Sequence, residues 1–265
     1  MSGPLPGSVP PRGVVLDTDG VLLDSAAVHA AAWKTAFDAC LAALAPDDGS
    51  RFGTPSSDTR PFDADAEYRR FVDGRSRHDG AEAFLTARGI RLPPGEPGDP
   101  PGCGTVWAVA ARKEAAFREA LASEPVTAFD DAAVALEALR VRGVPCAAVS
   151  ASRHARALLA AAGLDTALAA LVDGEDAARL GLAGKPDPAL FLHAAGLLGL
   201  PPAAAAVVED AVAGVRAARR GGFGLVVGVD RTPDGHGASL LDEEGADLVV
   251  PDLTTLVRSV WGEGG

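Results

Sequence analysis

Two carboxylates close an apolar run near the start of the chain, Val14-Val15-Leu16-Asp17-Thr18-Asp19-Gly20-Val21. In an extended chain alternate side chains share a face, so Asp17 and Asp19 point the same way, within reach of one metal ion or one substrate. That pairing suits a nucleophile and its proton-transfer partner, although a strand-end aspartate also caps helices and fills turns. Three later segments add to it. Cys146 to Val149 is a second apolar run, ended by the hydroxyls of Ser150-Ala151-Ser152. Lys185 stands in the loop Ala183-Gly184-Lys185-Pro186-Asp187-Pro188, and Ala206-Val207-Val208 leads into the adjacent acids Glu209-Asp210. The chain holds three lysines, Lys34, Lys113 and Lys185, against 21 arginines. A lysine kept in such a background points to a chemical need, because a compact ammonium and a planar guanidinium are not interchangeable.

Acid pair, hydroxyl, lysine, acid pair: in that order and at those positions the chain resembles the haloacid dehalogenase superfamily of phosphotransferases over nearly all of residues 13 to 255. The resemblance implies that Asp17 attacks phosphorus to form an aspartyl phosphate. Asp19 would donate a proton to the leaving oxygen and later remove one from the acceptor, which needs a carboxyl pKa raised towards the working pH. Ser150 and Lys185 would hold the transferring group. Asp17, the Asp19 carbonyl, Asp210 and Glu209 would hold Mg²⁺, a hard cation satisfied by oxygen ligands. Taken singly, each motif has a plainer reading. Ser150 could end a strand, Glu209-Asp210 could cap a helix in favourable dipole placement, and Lys185 could be a solvated loop cation. A nucleotide-binding P-loop is excluded, since Arg179 stands where its first glycine would be and Pro186 follows the lysine. Gly222-Phe223-Gly224 precedes a strand instead of following one and is no dinucleotide signature.

The elements that must position these groups alternate. An amphipathic stretch from Asp130 to Arg142 precedes a strand at Pro145 to Val149. Helices are expected over His154 to Ala162, Pro188 to Leu198 and Ala211 to Arg220. Strands are expected at Leu168 to Val172, Ala204 to Val208, Leu225 to Val229 and Leu248 to Val250. Continuous apolar strands alternating with helices predict an α/β fold with a doubly wound, mostly parallel sheet, with ligands at the carboxyl ends of its strands. Between Ser25 and about Glu124 the pattern is helical only. Trp33, Phe37, Leu41 and Leu44 recur at helical spacing, and periodic runs cover Asp63 to Val72, Asp79 to Arg88 and Thr105 to Ala122. This predicts an inserted α-helical cap domain over 25–124, a core over 13–24 and 125–265, and a flexible segment over 1–12. The Pro/Gly-rich stretch Leu92 to Gly104 reads as a loop within the cap. Hinges are expected near Asp24-Ser25 and Glu124-Pro125.

Within the superfamily the chain is most similar to the β-phosphoglucomutase-like subfamily. The first motif continues into Asp24-Ser25, His29 and Ala32-Trp33-Lys34. Arg77 matches a cap arginine that grips the distal phosphate, and Lys113 in Arg112-Lys113-Glu114 matches a cap lysine. The resemblance thus implies substrate contacts from His29, Trp33, Arg77, Lys113, Ser150, Ala151, Ser152 and His154. His154 and Glu114 stand where that subfamily has asparagine, which leaves the sugar contacts open. The implied reaction interconverts β-glucose 1-phosphate and glucose 6-phosphate through the 1,6-bisphosphate, which needs a second phosphate site facing the first; a bidentate Arg77 suits it. A sugar-phosphate phosphatase is the alternative, differing only in whether a sugar hydroxyl or water attacks. A receiver-like signalling module shares the acids, the hydroxyl and the lysine, but about 100 inserted helical residues argue against it.

Composition bounds the rest. With 265 residues and 48 % hydrophobic content, the chain can bury a full core or one larger and one smaller domain. A net charge of −12 with no basic stripe argues against nucleic acid as a partner. No run reaches the roughly 20 apolar residues of a membrane span, and Met1 to Arg12 is Pro/Gly-rich, so a cytoplasmic protein is expected, monomeric or weakly dimeric, with a phosphorylated sugar as substrate. Cys40, Cys103 and Cys146 are odd in number and widely spaced, which predicts buried thiols and no disulfide.

Overall fold

The computed structural model describes residues 9–44, 58–123, 125–232 and 235–262. Glu124, at one expected hinge, lies outside the described residues, as do residues 1–8 of the expected N-terminal segment. The chain divides into two compact units, one of Met1–Asp24 with Val126–Gly265 and one of Ser25–Pro125.

The first unit is built on six strands: β1 (Gly13–Asp17), β2 (Cys146–Val149), β3 (Ala170–Val172), β4 (Ala205–Glu209), β5 (Leu225–Val229) and β6 (Leu248–Val250). They lie in the order β3-β2-β1-β4-β5-β6, and every pairing is parallel. Residues of β1, β2, β4 and β5 are buried along the whole strand, as expected where helices cover both faces of a parallel sheet. Val15, Ala147, Val207 and Val226 from these strands pack with Phe191, Ala194, Val215 and Phe223 in one core cluster.

Seven helices of this unit occur among the described residues. The four in its first part are α4 (Asp130–Val141), α5 (Ala155–Ala161), α6 (Gly174–Leu180) and α7 (Ala189–Leu197), numbered after three in the other unit. The remaining three are α8 (Val212–Arg220), α9 (His236–Glu243) and α10 (Leu253–Trp261). Three of the seven, α6, α9 and α10, are absent from the sequence expectation, although Leu253, Leu256 and Val257 bury one face of α10 at helical spacing. Two of them carry cap signals all the same. Asp173 accepts from the N–H groups of Glu175 and Asp176 to start α6, and Asp252 accepts from Thr255 to start α10. The strand expected from Leu168 starts at Ala170, because Asp165–Ala167 is a 3₁₀ turn.

The second unit holds α1 (Ala26–Ala43), α2 (Arg77–Ala87) and α3 (Val106–Ser123). Its core is aromatic: Phe37 stacks on Trp33 at 4.7 Å and lies 4.1 Å from Phe84, with Phe62 5.0 Å from both phenylalanines. The helix expected over Asp63 to Val72 is a short π-helical turn at Tyr68–Val72, since the Asp63 carboxylate accepts from Asp65 and Ala66 and turns the chain first. Arg88, 5 % exposed, ties that segment down by donating to both oxygens of Glu67 and to the carbonyls of Asp58 and Arg60.

One expectation is overturned here. Cys40 on α1 and Cys103 in the Pro/Gly-rich loop form a disulfide, with Cα atoms 5.2 Å apart. Spacing along the chain carried no trace of it, because 63 residues separate the pair and only the fold of the helical unit brings them together. Cys146 does remain a thiol, and burial pushes its pKa up to about 12. Among the described residues no helix is long and apolar enough to cross a membrane.

Candidate active site

Sheet register gathers the four motifs. Asp17 at the end of β1 pairs with Val149 at the end of β2, and Leu16 pairs with Val208, one residue before Glu209 on β4. Ser150, Glu209 and Asp210 therefore leave the sheet beside Asp17, at the carboxyl ends of its two central neighbours. Thr18 fastens the first of these junctions: its buried hydroxyl donates to the Val149 carbonyl at 3.0 Å.

Lys185 enters from the loop before α7. Its ammonium, 1 % exposed, donates to Asp17 Oδ1 and to Glu209 Oε1. The second Asp17 oxygen accepts from the Asp19 N–H at 2.9 Å. Glu209 is fully buried, and its other oxygen accepts from the Ala211 N–H at 2.8 Å. Its carboxylate fits there because Gly214 has no side chain; a Cβ at that position would stand 1.8 Å from Glu209 Oε1. Ser150 donates to Asp19 Oδ2 at 2.8 Å while accepting from the Ser152 N–H at 3.0 Å.

The electrostatics follow from burial. Desolvation pushes the Asp17 carboxyl well above the ordinary carboxylate range; Lys185 pulls it down, and the charges of Glu209 and Asp19 push it up again. For Lys185, burial works against the charged form, but Asp17 and Glu209 outweigh it and hold the ammonium above the usual lysine range. With both acids ionised, one cation faces two carboxylates in a buried site, an arrangement with an excess of negative charge.

That excess, and an all-oxygen donor set, suit a hard divalent cation. Gly20 shapes the cradle. Its φ is +81°, and a Cβ there would lie 1.7 Å from Asp210 Oδ2, so only glycine lets the Asp210 carboxylate rest on the turn that carries Asp19. Asp17, Asp210 and the Asp19 carbonyl are the groups that could hold Mg²⁺. Glu209, expected among the ligands, accepts from Lys185 with one oxygen and from the Ala211 N–H with the other, and is a counter-ion of the lysine. Among the described residues no three Asp, Glu, His or Cys side chains form a metal cluster.

The expected substrate contacts fall into two groups. Ala151, Ser152 and His154 lie half-buried on the turn from β2 to α5, next to Ser150. His29, Trp33, Arg77 and Lys113 belong to the helical unit. There Lys113 donates to His29 Nδ1 at 2.8 Å, which leaves the imidazole proton on Nε2. Lys113 also lies 4.4 Å from the Phe117 ring centre and 5.6 Å from that of Trp33. Trp33 is 4 % exposed and stacked on Phe37, within the core of the helical unit. Arg77 pairs with Glu114 at 2.8 Å, so its fork is engaged by a carboxylate of its own unit.

A family model for haloacid dehalogenase-like hydrolases matches residues 11–222. The chain belongs to this family. A β-phosphoglucomutase of Mycobacterium tuberculosis is 43 % identical over 246 residues, spanning 93 % of this chain and 91 % of that protein. Hexitol phosphatase A of Escherichia coli is 31 % identical over 206 residues, covering 77 % and 76 % of the two chains. The crystal structure of a haloacid dehalogenase family hydrolase from Deinococcus radiodurans, solved with bound phosphate and sodium, superposes with a TM-score of 0.61 at 29 % identity and 95 % coverage of each chain. Haloacid dehalogenase membership, with a mutase and a phosphatase among the relatives, makes the chain an enzyme of one of these two kinds. Sequence reasoning passed over Thr18, Gly20 and Gly214. The two glycines were findable as side-chain-free positions next to acids in the first and last motifs.

Proposed function

We propose that the chain is a Mg²⁺-dependent phosphotransferase that works through an aspartyl phosphate on Asp17, with β-phosphoglucomutase activity. The observation that carries the reading is the Asp17–Lys185–Glu209 cluster standing beside the Asp19–Ser150 pair on adjacent strand ends. Asp17 has one oxygen on Lys185 and one on the Asp19 N–H, so the carboxylate is oriented before substrate arrives. In the first half-reaction a bond forms from Asp17 to phosphorus, the bond from phosphorus to the leaving oxygen breaks, and Asp19 gives that oxygen a proton. In the second half-reaction Asp19 takes a proton from the attacking hydroxyl, and the phosphoryl group leaves Asp17. Ser150 holds Asp19 in place for both transfers. Bound Mg²⁺ supplies positive charge that offsets the paired carboxylates and the equatorial phosphoryl oxygens and favours ionised Asp17.

Support for a mutase comes from the relatives of that name and from Arg77 and Lys113, cations the helical unit would offer to a second phosphate. The chain would act on a phosphorylated hexose as a cytoplasmic monomer or weak dimer. The phosphatase alternative is favoured by the hexitol phosphatase relative and by the Glu114 partner of Arg77. The test is to incubate the protein with Mg²⁺, β-glucose 1-phosphate and a trace of glucose 1,6-bisphosphate, following glucose 6-phosphate and inorganic phosphate together. The mutase yields glucose 6-phosphate with little phosphate; release of phosphate alone makes the enzyme a phosphatase.

A further inference from the structure

The turn that carries Asp19 is held from outside by a residue with no part in the four motifs. Arg231 follows β5 by two positions, and its guanidinium spreads over the back of this turn. Nε donates to the Gly20 carbonyl at 3.1 Å and Nη2 to the Val21 carbonyl at 2.8 Å. The other side of the fork grips Asp131 at the start of α4, Nη1 to Oδ1 at 3.0 Å and Nη2 to Oδ2 at 3.1 Å. Asp131 is anchored in turn by the Leu253 N–H at 2.6 Å. The guanidinium lies over the Phe129 ring, 3.7 Å from its centre, and the Phe129 N–H donates to the Leu22 carbonyl at 3.0 Å. Both charged partners are largely shielded, with side chains 18 % and 15 % exposed.

The backbone that these contacts fix is the one that presents oxygen to a cation. Gly20 N–H donates to the Leu23 carbonyl at 2.9 Å. Across a planar trans peptide the Asp19 carbonyl must then point away from Leu23. Turning that peptide would require the 20–21 segment to move, and Arg231 holds the carbonyls of both residues. A lysine could not do this: one ammonium cannot reach two carbonyls and a carboxylate while lying flat on an aromatic ring.

We propose that Arg231 is a positioning residue for cation binding, locking the Gly20–Val21 backbone so that the Asp19 carbonyl is presented as a ligand. The proposal rests on the Mg²⁺ reading above, and its sign separates it from a simple charge effect. By charge alone, losing a guanidinium near a cation site strengthens cation binding; loss of positioning weakens it. The experiment is isothermal titration of the full chain with MgCl₂, without substrate, for wild type, Arg231→Met, Arg231→Lys and Asp210→Asn. Amide hydrogen exchange of the same proteins in EDTA is followed alongside. The expected result is a Kd raised about 10-fold or more in Arg231→Met, the range seen when outer partners of metal ligands are lost. Arg231→Lys should share most of that loss. Exchange at the Gly20, Leu22 and Leu23 amides should quicken, with Val14 to Leu16 unchanged. A Kd within twofold of wild type, or a tighter one, in both Arg231 variants overturns the proposal. If Arg231→Met does not fold, Arg231→Lys alone decides by the same criterion. Absence of Mg²⁺ binding to wild type, or undiminished binding by Asp210→Asn, defeats the metal reading itself and the proposal with it.

Discussion

The two units each bury a lysine, and they hold it by different means. In the sheet unit Lys185 sits between Asp17 and Glu209, both fixed at the ends of neighbouring parallel strands. In the helical unit Lys113, 5 % exposed, donates to an imidazole and lies over the faces of Phe117 and Trp33. The first arrangement is set by main-chain register: a strand that ends beside another must place its terminal side chains together. The second is set by how α1 packs on α3, which brings His29 to Lys113 across 84 positions with no strand register linking them. A site whose charges must be aligned to within tenths of an ångström is better built on the first plan. Recognition of a variable substrate can be left to the second.

Removing Lys185 strikes this comparison hardest. Lys185→Met would leave Asp17 and Glu209 buried together with no ammonium between them. Turnover should fall by about 10³-fold or more, the scale for losing a preorganised charge at a reacting group. Burial already raises the Asp17 pKa with the lysine present, and the substitution raises it further. A carboxyl whose folded pKa lies above its unfolded value contributes stability at pH below the unfolded value, and that stability is lost as pH rises through the folded one. The melting temperature of metal-free Lys185→Met should therefore drop, relative to wild type, on going from about pH 5 to pH 8. A pH-independent difference would mean that the acids are not coupled as described.

The disulfide probes the helical unit alone. Cys40–Cys103 closes a long loop, and in the chain-entropy picture such a link stabilises by up to about 4 kcal/mol. Dithiothreitol, or Cys103→Ser, should lower the melting transition of the helical unit and leave hydrogen exchange in β1 and β4 unaltered. This result also bears on where the protein works, since a reducing cytosol disfavours such a bond and a cytoplasmic address was the expectation from composition. An unchanged transition together with two titratable thiols would return Cys40 and Cys103 to the role of buried small hydrophobes.

What the sequence disclosed follows the same division. Asp17, Asp19, Ser150, Glu209 and Asp210 stood out because each lies at or just past the end of an apolar strand, and Lys185 because it is one of three lysines and stands in a Gly/Pro loop before a helix; the doubly wound sheet was legible from the alternation that contains them. What the sequence did not disclose is tertiary. That Glu209 is a counter-ion to Lys185 shows only once β1 and β4 are paired. That Trp33 stacks on Phe37 shows only once the helical unit is packed. Arg231 was invisible as a functional residue because its partners, Gly20, Val21 and Asp131, lie 100 positions or more away. One clue did exist, that it stands just past the carboxyl end of a strand, where such sheets place their working residues.

The smallest expected effect concerns Glu114, the carboxylate paired with Arg77. Arg77 and Glu114 are 21 % and 18 % exposed, so water partly screens the pair, and it contributes about 1 kcal/mol. An anionic phosphate that recruits Arg77 must first displace Glu114, and the carboxylate adds like-charge repulsion of its own. Glu114→Gln keeps the shape and removes both obstacles. The KM for the phosphorylated sugar should fall by roughly 3- to 10-fold with kcat nearly unchanged, because the gain is in binding and is shared by ground and transition states. Arg77→Ala should raise KM and abolish the benefit of Glu114→Gln in the double variant. If instead Glu114→Gln leaves KM where it was, Arg77 meets no anion, and the helical unit contributes shape and not charge to substrate choice.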